Sequence, residues 1–163
     1  MIIYTEVFMS SFIIELFSNK PLVCAGASWA LAQIIKTVIH LILTRKFVAE
    51  RLIGSGGMPS CHSAAVCALT TAILIEYGPG EPFFAIAVIM SIVVMYDAMG
   101  VRRETGIQAT VLNEMIGIFA KLGNEIKAED RLKEFVGHTP FQVLIGGILG
   151  IAFSCLYCLV FTR

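Results

Sequence analysis

The sequence predicts an all-α integral membrane bundle, with about four transmembrane helices and one amphipathic helix at the interface. Three observations carry that reading. Apolar residues make up 57% of the chain and mean hydropathy is +0.83, above the roughly 45–50% apolar content of soluble domains. Only 15% of residues are charged, and most of them gather in two segments. Four apolar stretches alternate with polar connections of very unequal length. At 163 residues the chain reads as one membrane domain, 1–163, and is too short for two ordinary ones.

Taken in order, the opening MIIYTEVFMSSFIIELFSNK carries no early Lys or Arg, contains Glu6 and Glu15, and has no small-residue cleavage pattern. It fits a signal peptide poorly and reads as a short helix at the interface. Leu22 to Leu43 is a full-length span by the roughly 20-residue requirement. Ser63 to Ile75 and Phe83 to Tyr96 fall short of it. They cross only if the polar residues at their ends continue the helix into a protein-lined site. Ile107, Val111, Met115, Ile118 and Leu122 recur at spacings of three and four, the pattern of an amphipathic helix. Gly123 to Glu134 is charged and reads as solvated loop or helix. Phe141 to Phe161 is again full length, and its Gly146 and Gly150 form a GxxxG pair suited to close helix contact.

Charge placement gives a topology. The turn Glu76 to Pro82 has no Lys or Arg. Thr44 to Met58 and Asp97 to Thr139 hold nine of the twelve basic residues, and with four spans both emerge on one face. The positive-inside rule assigns that face to the cytoplasm, so a cell-membrane, multi-pass protein is expected. Twelve acidic residues balance the twelve basic ones, which gives no reason to expect nucleic acid as a partner. The membrane is the expected partner, and a homo-oligomer is compatible with the composition. The five cysteines, Cys24, Cys61, Cys67, Cys155 and Cys158, are odd in number and irregularly spaced, and read as buried thiols, not a disulfide framework. No metal site and no cofactor are expected.

Three polar patches interrupt the apolar pattern. Gly54-Ser-Gly-Gly-Met-Pro-Ser-Cys-His-Ser63 places glycines before a helix start, where free N–H groups and the positive end of the dipole suit a phosphate. No Gly-Lys-Ser/Thr follows, which excludes the nucleotide-binding P-loop. Tyr96-Asp-Ala-Met-Gly-Val-Arg-Arg-Glu104 sets two guanidinium groups at a membrane boundary, where they can bracket phosphate oxygens bidentately or anchor headgroups. Asp97 there calls for a partner, most simply one of the arginines. Gly137-His-Thr-Pro140 puts His138 at the mouth of the last span, as His62 stands at the mouth of the second. One such imidazole can attack phosphorus while the other protonates the leaving oxygen, since the pKa of histidine lies near neutrality. Gln33, Lys36 and His40 share one face of the first span. Ionisable groups there point to a protein interior or watery cavity, with snorkelling as the competing reading for Lys36.

These motifs, Met58-Pro-Ser-Cys-His-Ser-Ala64, GVRRETGIQA and EFVGHTPFQVLIGGILG, resemble the type-2 phosphatidic acid phosphatases. They are most similar to that superfamily's small divergent membrane branch, whose relatives include vanadium-dependent haloperoxidases. The resemblance runs from about Gln33 to Gly150. It implies that His138 forms a phosphohistidine, that His62 protonates the leaving group, and that Ser60 and Cys61 stand at phosphate-binding positions. It implies Arg102 or Arg103 as the arginine of one motif and Lys46 or Arg51 as the basic residue of another. Three departures accompany it. Cys61 replaces a usual Gly, the arginine-to-histidine interval is far longer than usual, and Gln142 replaces the Asp that orients the nucleophile, a role Asp97 is a candidate to fill.

The function expected is hydrolysis of a lipid phosphate monoester, of the phosphatidylglycerophosphate or phosphatidic acid type, at the cytoplasmic face. Two readings compete: a phospholipid or ion transporter using Lys36, His40, Asp97 and the arginines as a polar path, and a non-catalytic membrane assembly subunit.

Overall fold

The computed structural model describes residues 11–45, 56–122, 132 and 137–161. Lys46, Arg51 and nearly all of the charged segment 123–134 lie outside the described residues, as do residues 1–10 of the expected interfacial N-terminal helix. Residues 11–18 are helical and exposed.

Five helices follow: α1 (Lys20–Thr44), α2 (Cys61–Tyr77), α3 (Pro82–Met99), α4 (Val101–Lys121) and α5 (Pro140–Phe161). Local signals set their ends. The Asn19 side chain accepts the Leu22 N–H at 3.1 Å, Pro21 fits the first turn of α1 where no N–H is needed, and Arg45 closes the helix at φ 52°. Ser60 caps α2, and Gly78 at φ 88° ends it. The apolar stretch in α3 continues as helix through Asp97, as the sequence requires if it is to span.

The result is an all-α membrane bundle. The helices α1 and α5 are long and apolar enough to cross, as is the run from α3 into α4. The 17-residue α2 is about 25 Å long at 1.5 Å per residue, short of the ~30 Å hydrocarbon layer. It lies at the centre, packed against α1, α3 and α5, and starts inside the protein at the fully buried Ser60.

Within lipid, helices gain little from burying apolar side chains against one another, so close backbone approach and hydrogen bonds hold them together. The packed faces are accordingly made of small residues. Ser28, Ala32, Ala64, Ala68, Ala72, Ala87 and Ser91 are buried, while Ile86, Ile89, Ile92, Val93, Leu144, Ile148 and Leu159 point outward. The GxxxG pair lies at the α2–α5 crossing. A β-carbon on Gly146 would overlap the Ser60 carbonyl oxygen, and one on Gly150 would overlap that of Ala64. Ser28 Oγ donates to the same Ala64 carbonyl at 3.2 Å, joining α1 to this seam. Thr70 and Ser91 join α2 to α3, with 2.8 Å between their hydroxyls and Ser91 donating to the Val66 carbonyl at 3.1 Å.

The two ends of the bundle differ. At one, Lys20 pairs with Glu76 at 3.0 Å, an exposed contact of small energetic weight. At the other, the Ser60 N–H donates to the Gln142 carbonyl at 3.1 Å and the His138 N–H to the Ala98 carbonyl at 3.0 Å. Both long basic connections leave from this second end. The apolar stripe of α4 (Ile107, Val111, Met115 and Ile118, with Leu122 just past its end) is exposed, and Gly106 and Ala109 are the buried ones among its described residues. The stripe therefore faces away from the bundle, as suits a helix whose apolar side meets lipid.

Gly146→Ala and Gly150→Ala should each lower stability by about 1–3 kcal/mol through overpacking, read as a drop in Tm of the detergent-solubilised protein. Gly26, with nothing within 4 Å of its position for a β-carbon, should accept Ala with no loss.

Candidate active site

At the end where α2 and α5 begin, a cleft of about 260 Å3 is lined by Gly56, Gly57, Arg103, Gly106, Ile107, Thr110, Gly137, His138, Thr139 and Gln142. Helix starts and a glycine turn supply most of its wall. Gly56, Gly57 and Gly137 have φ of 87°, 83° and 100°, in the left-handed region that side chains disfavour. Among the described lining residues there is no carboxylate, and Arg103 is the one permanent charge.

His138 is 3% exposed and enters the cleft from the turn before α5. Its ring is oriented by Gln142, with 3.2 Å between Nδ1 and Oε1. The same Oε1 accepts the Thr139 N–H at 3.2 Å, while the Gln142 N–H donates to Thr139 Oγ1 at 3.4 Å. This is a Thr-x-x-Gln capping box. Because an N–H must point at an oxygen, the box assigns which amide atom faces the ring. The ring then donates from Nδ1, which leaves Nε2 as the lone-pair nitrogen. Nε2 is buried and makes no hydrogen bond of good geometry.

Burial pushes the His138 pKa below its ordinary 6.5. The Gln142 bond opposes that shift, the charges of Lys36 and His62 add to it, and the Gly57 carbonyl weakly opposes it. A neutral ring with a bare nitrogen is the form a nucleophile needs.

Lys36 is as buried as His138. Its aliphatic stem fills the place where Gly57 would carry a β-carbon, with Cδ 3.1 Å from that position, and its Nζ lies 4.0 Å from Cys61 Sγ. Cys61 is 1% exposed among Ala32, Ala64 and Leu149, so the small neighbours accommodate the side chain where the superfamily has Gly. His62, half-buried, has Nδ1 3.7 Å from Cys61 Sγ. It acts electrostatically on His138 without lining the cleft.

Of the residues singled out from sequence, the structure gathers His138, Gln142 and Arg103 around one cleft and brings Lys36, Cys61 and His62 beside it. Within the long arginine-to-histidine interval, α4 carries Arg103 at its start and Asn113 further along. The Asn113 side chain donates to the Leu132 carbonyl and accepts its N–H, both at 2.9 Å. Ser60 caps α2, with its Oγ 3.4 Å from the Ser63 N–H and 3.0 Å from Ser63 Oγ, and stands outside the cleft lining. Asp97, half-buried in the last turn of α3, does not line the cleft either, and the acceptor facing Nδ1 is Gln142. His40 is half-buried one turn beyond Lys36. The Arg102 side chain lies outside the description. Sequence reasoning missed Thr110, Gly106 and the capping role of Thr139. The Thr139-Pro-Phe-Gln142 spacing was legible as a capping box. Among the described residues, no three His, Cys, Asp or Glu side chains gather as a metal site requires.

Residues 17–153 match the Divergent PAP2 family, and the chain belongs to it. The chain is also similar to a protein of Bacillus subtilis (strain 168) described as the uncharacterized membrane protein YuiD, with 39% identity over 156 residues, covering 90% of this chain and 99% of that one. No solved structure matches.

The depressed His138 pKa makes stability pH-dependent, with a defined sign. The folded chain binds this proton less readily than the unfolded chain. The contribution is therefore complete above the ordinary value of 6.5 and is lost as pH falls through the lower folded-state pKa. A Tm–pH profile should bend downward in that acid window, and His138→Gln should flatten the bend. Gly57→Ala should cost about 1–3 kcal/mol through its backbone conformation and displace Lys36, read as a lower Tm.

Proposed function

We propose that the protein hydrolyses a phosphate monoester of a membrane lipid, of the phosphatidylglycerophosphate or phosphatidic acid type, through a phosphohistidine on His138. The observation that carries this reading is the buried Nε2 of His138, which makes no hydrogen bond of good geometry, on the wall of a cleft whose one permanent charge among the described lining residues is Arg103. Membership of the Divergent PAP2 family supports it.

In this reading the Nε2 lone pair attacks phosphorus, the bond from phosphorus to the lipid oxygen breaks, and His62 gives a proton to the departing alcohol. Water then attacks the phosphohistidine, His62 takes the proton of that water, and the N–P bond breaks to release inorganic phosphate. The Arg103 guanidinium holds phosphoryl oxygens through both transfers, with Lys36 adding positive potential from below. Ser60 and Cys61 serve by fixing the start of α2 against the site. A volume of about 260 Å3 is below the ~300–1,000 Å3 of pockets that engulf whole drug-sized ligands. The headgroup enters the cleft and the acyl chains stay in the bilayer. With nine of twelve basic residues in the two connections at this end, the site faces the cytoplasm across the cell membrane.

Purified protein should release phosphate from a panel of phospholipid monophosphates and be inhibited by vanadate. His138→Ala should abolish turnover, and His62→Ala should slow it by about 10²–10⁴-fold. The acid limb of activity should fall below pH 6.5, following the depressed pKa of His138. Equal activity in all three proteins would defeat the two-histidine reading, and silence across the panel would favour a transporter or binding protein.

A further inference from the structure

His138 is held by one atom that performs two tasks. Gln142 Oε1 lies 3.2 Å from the His138 Nδ1 and 3.2 Å from the Thr139 nitrogen whose hydrogen it accepts. The backbone N–H fixes the amide orientation, and the amide orientation fixes the ring. We infer that Gln142 is a positioning residue that sets the tautomer of His138, proton on Nδ1 and lone pair on Nε2, and that it does so without supplying a charge.

The inference deepens the phosphatase reading and rests on it for its consequence in turnover. A carboxylate at this position would fix the same tautomer but would also draw a proton onto Nε2 by stabilising the imidazolium. A neutral amide separates the two effects. The charged and titratable groups around the ring make that separation matter. Lys36 comes from α1, His62 from α2 and Arg103 from α4, while Asp97 sits in α3 beside Ala98, whose carbonyl takes the His138 N–H. The cations disfavour a protonated ring, so the nucleophile stays bare at neutral pH. The positive surroundings are then balanced by the substrate itself, which favours a phosphate monoester dianion over a singly charged diester.

The chain has only three histidines, so imidazole-nitrogen NMR of isotope-labelled protein can follow His138 directly, with His138→Gln assigning its signals. The wild type should show a neutral ring protonated at Nδ1 and bare at Nε2 near neutral pH. Gln142→Glu should keep that tautomer and raise the pKa of His138 by about 1–2 units, moving the acid limb of activity upward with it. Gln142→Met should lose the single tautomer and lower kcat with little change in KM. Thr139→Ala removes the other half of the capping box without touching the ring, and should lower Tm while leaving the tautomer as it was. The inference is overturned if wild-type His138 is protonated at Nε2, or if Gln142→Met and Thr139→Ala give the same spectra, since Gln142 would then serve as a helix cap alone. A fixed tautomer in a protein that hydrolyses no phosphate would keep the positioning role and remove the phosphatase reading.

Discussion

The close passage of Gly146 over the Ser60 carbonyl is the constraint on which the rest of the structure depends. At that crossing no β-carbon fits, so α5 lies directly on the start of α2. One turn earlier the Ser60 N–H reaches the Gln142 carbonyl at 3.1 Å, and four residues before Gln142 stands His138. The register of α5 against α2 therefore decides where His138 sits relative to the glycine turn and to His62. A wider crossing would keep five helices and lose the site. Gly150 over Ala64 repeats the contact one turn deeper, which fixes the direction of α5 as well as its distance.

Placing polar groups at the ends of membrane helices raises an accounting problem, because an unsatisfied N–H or C=O away from water costs several kcal/mol. The protein answers it with the residues that shape the candidate site. Ser60 satisfies the start of α2, Thr139 and Gln142 satisfy the start of α5, and the Ala98 carbonyl at the end of α3 takes the His138 N–H. Satisfying the backbone and arranging the chemistry are thus one task here. What these caps leave over is then conspicuous: the Nε2 of His138, buried and without a hydrogen bond of good geometry.

The amount legible in the sequence varied with the range of the interaction. Patterns within one helix were readable. The apolar spans, the GxxxG pair, the polar Gln33–Lys36 face and the apolar stripe of α4 follow from spacing, while the direction each face takes comes from packing. Helices α2 and α3 looked shorter than they are because hydropathy stops where polar residues begin, whereas α2 starts at Cys61 and α3 continues past Asp97; α2 still falls short of a full crossing. Contacts that join distant segments were less readable. Arg103 and His138, far apart in the chain, share a cleft, and Asn113 pairs with the distant Leu132. Nothing in spacing announces that. Asp97 looked like the natural replacement for a missing carboxylate because carboxylates orient imidazoles, yet the local capping box had already committed Gln142 to the ring.

The two faces of α4 join these points. Arg103, Gly106 and Thr110 line the cleft, and a row of large apolar side chains, Ile107, Val111, Met115, Ile118 and Leu122, stands exposed beside them. Ile107 belongs to both sets, lining the cleft while still 45% exposed. A helix in the bundle core would have to hide its large residues. A soluble helix would have to replace them. A helix between a polar cleft and a lipid phase can hold an arginine at the cleft and expose a row of Ile, Val, Met and Leu without penalty on either side. The sequence of α4 thus records two solvents at once, and the cleft lies at the boundary between them.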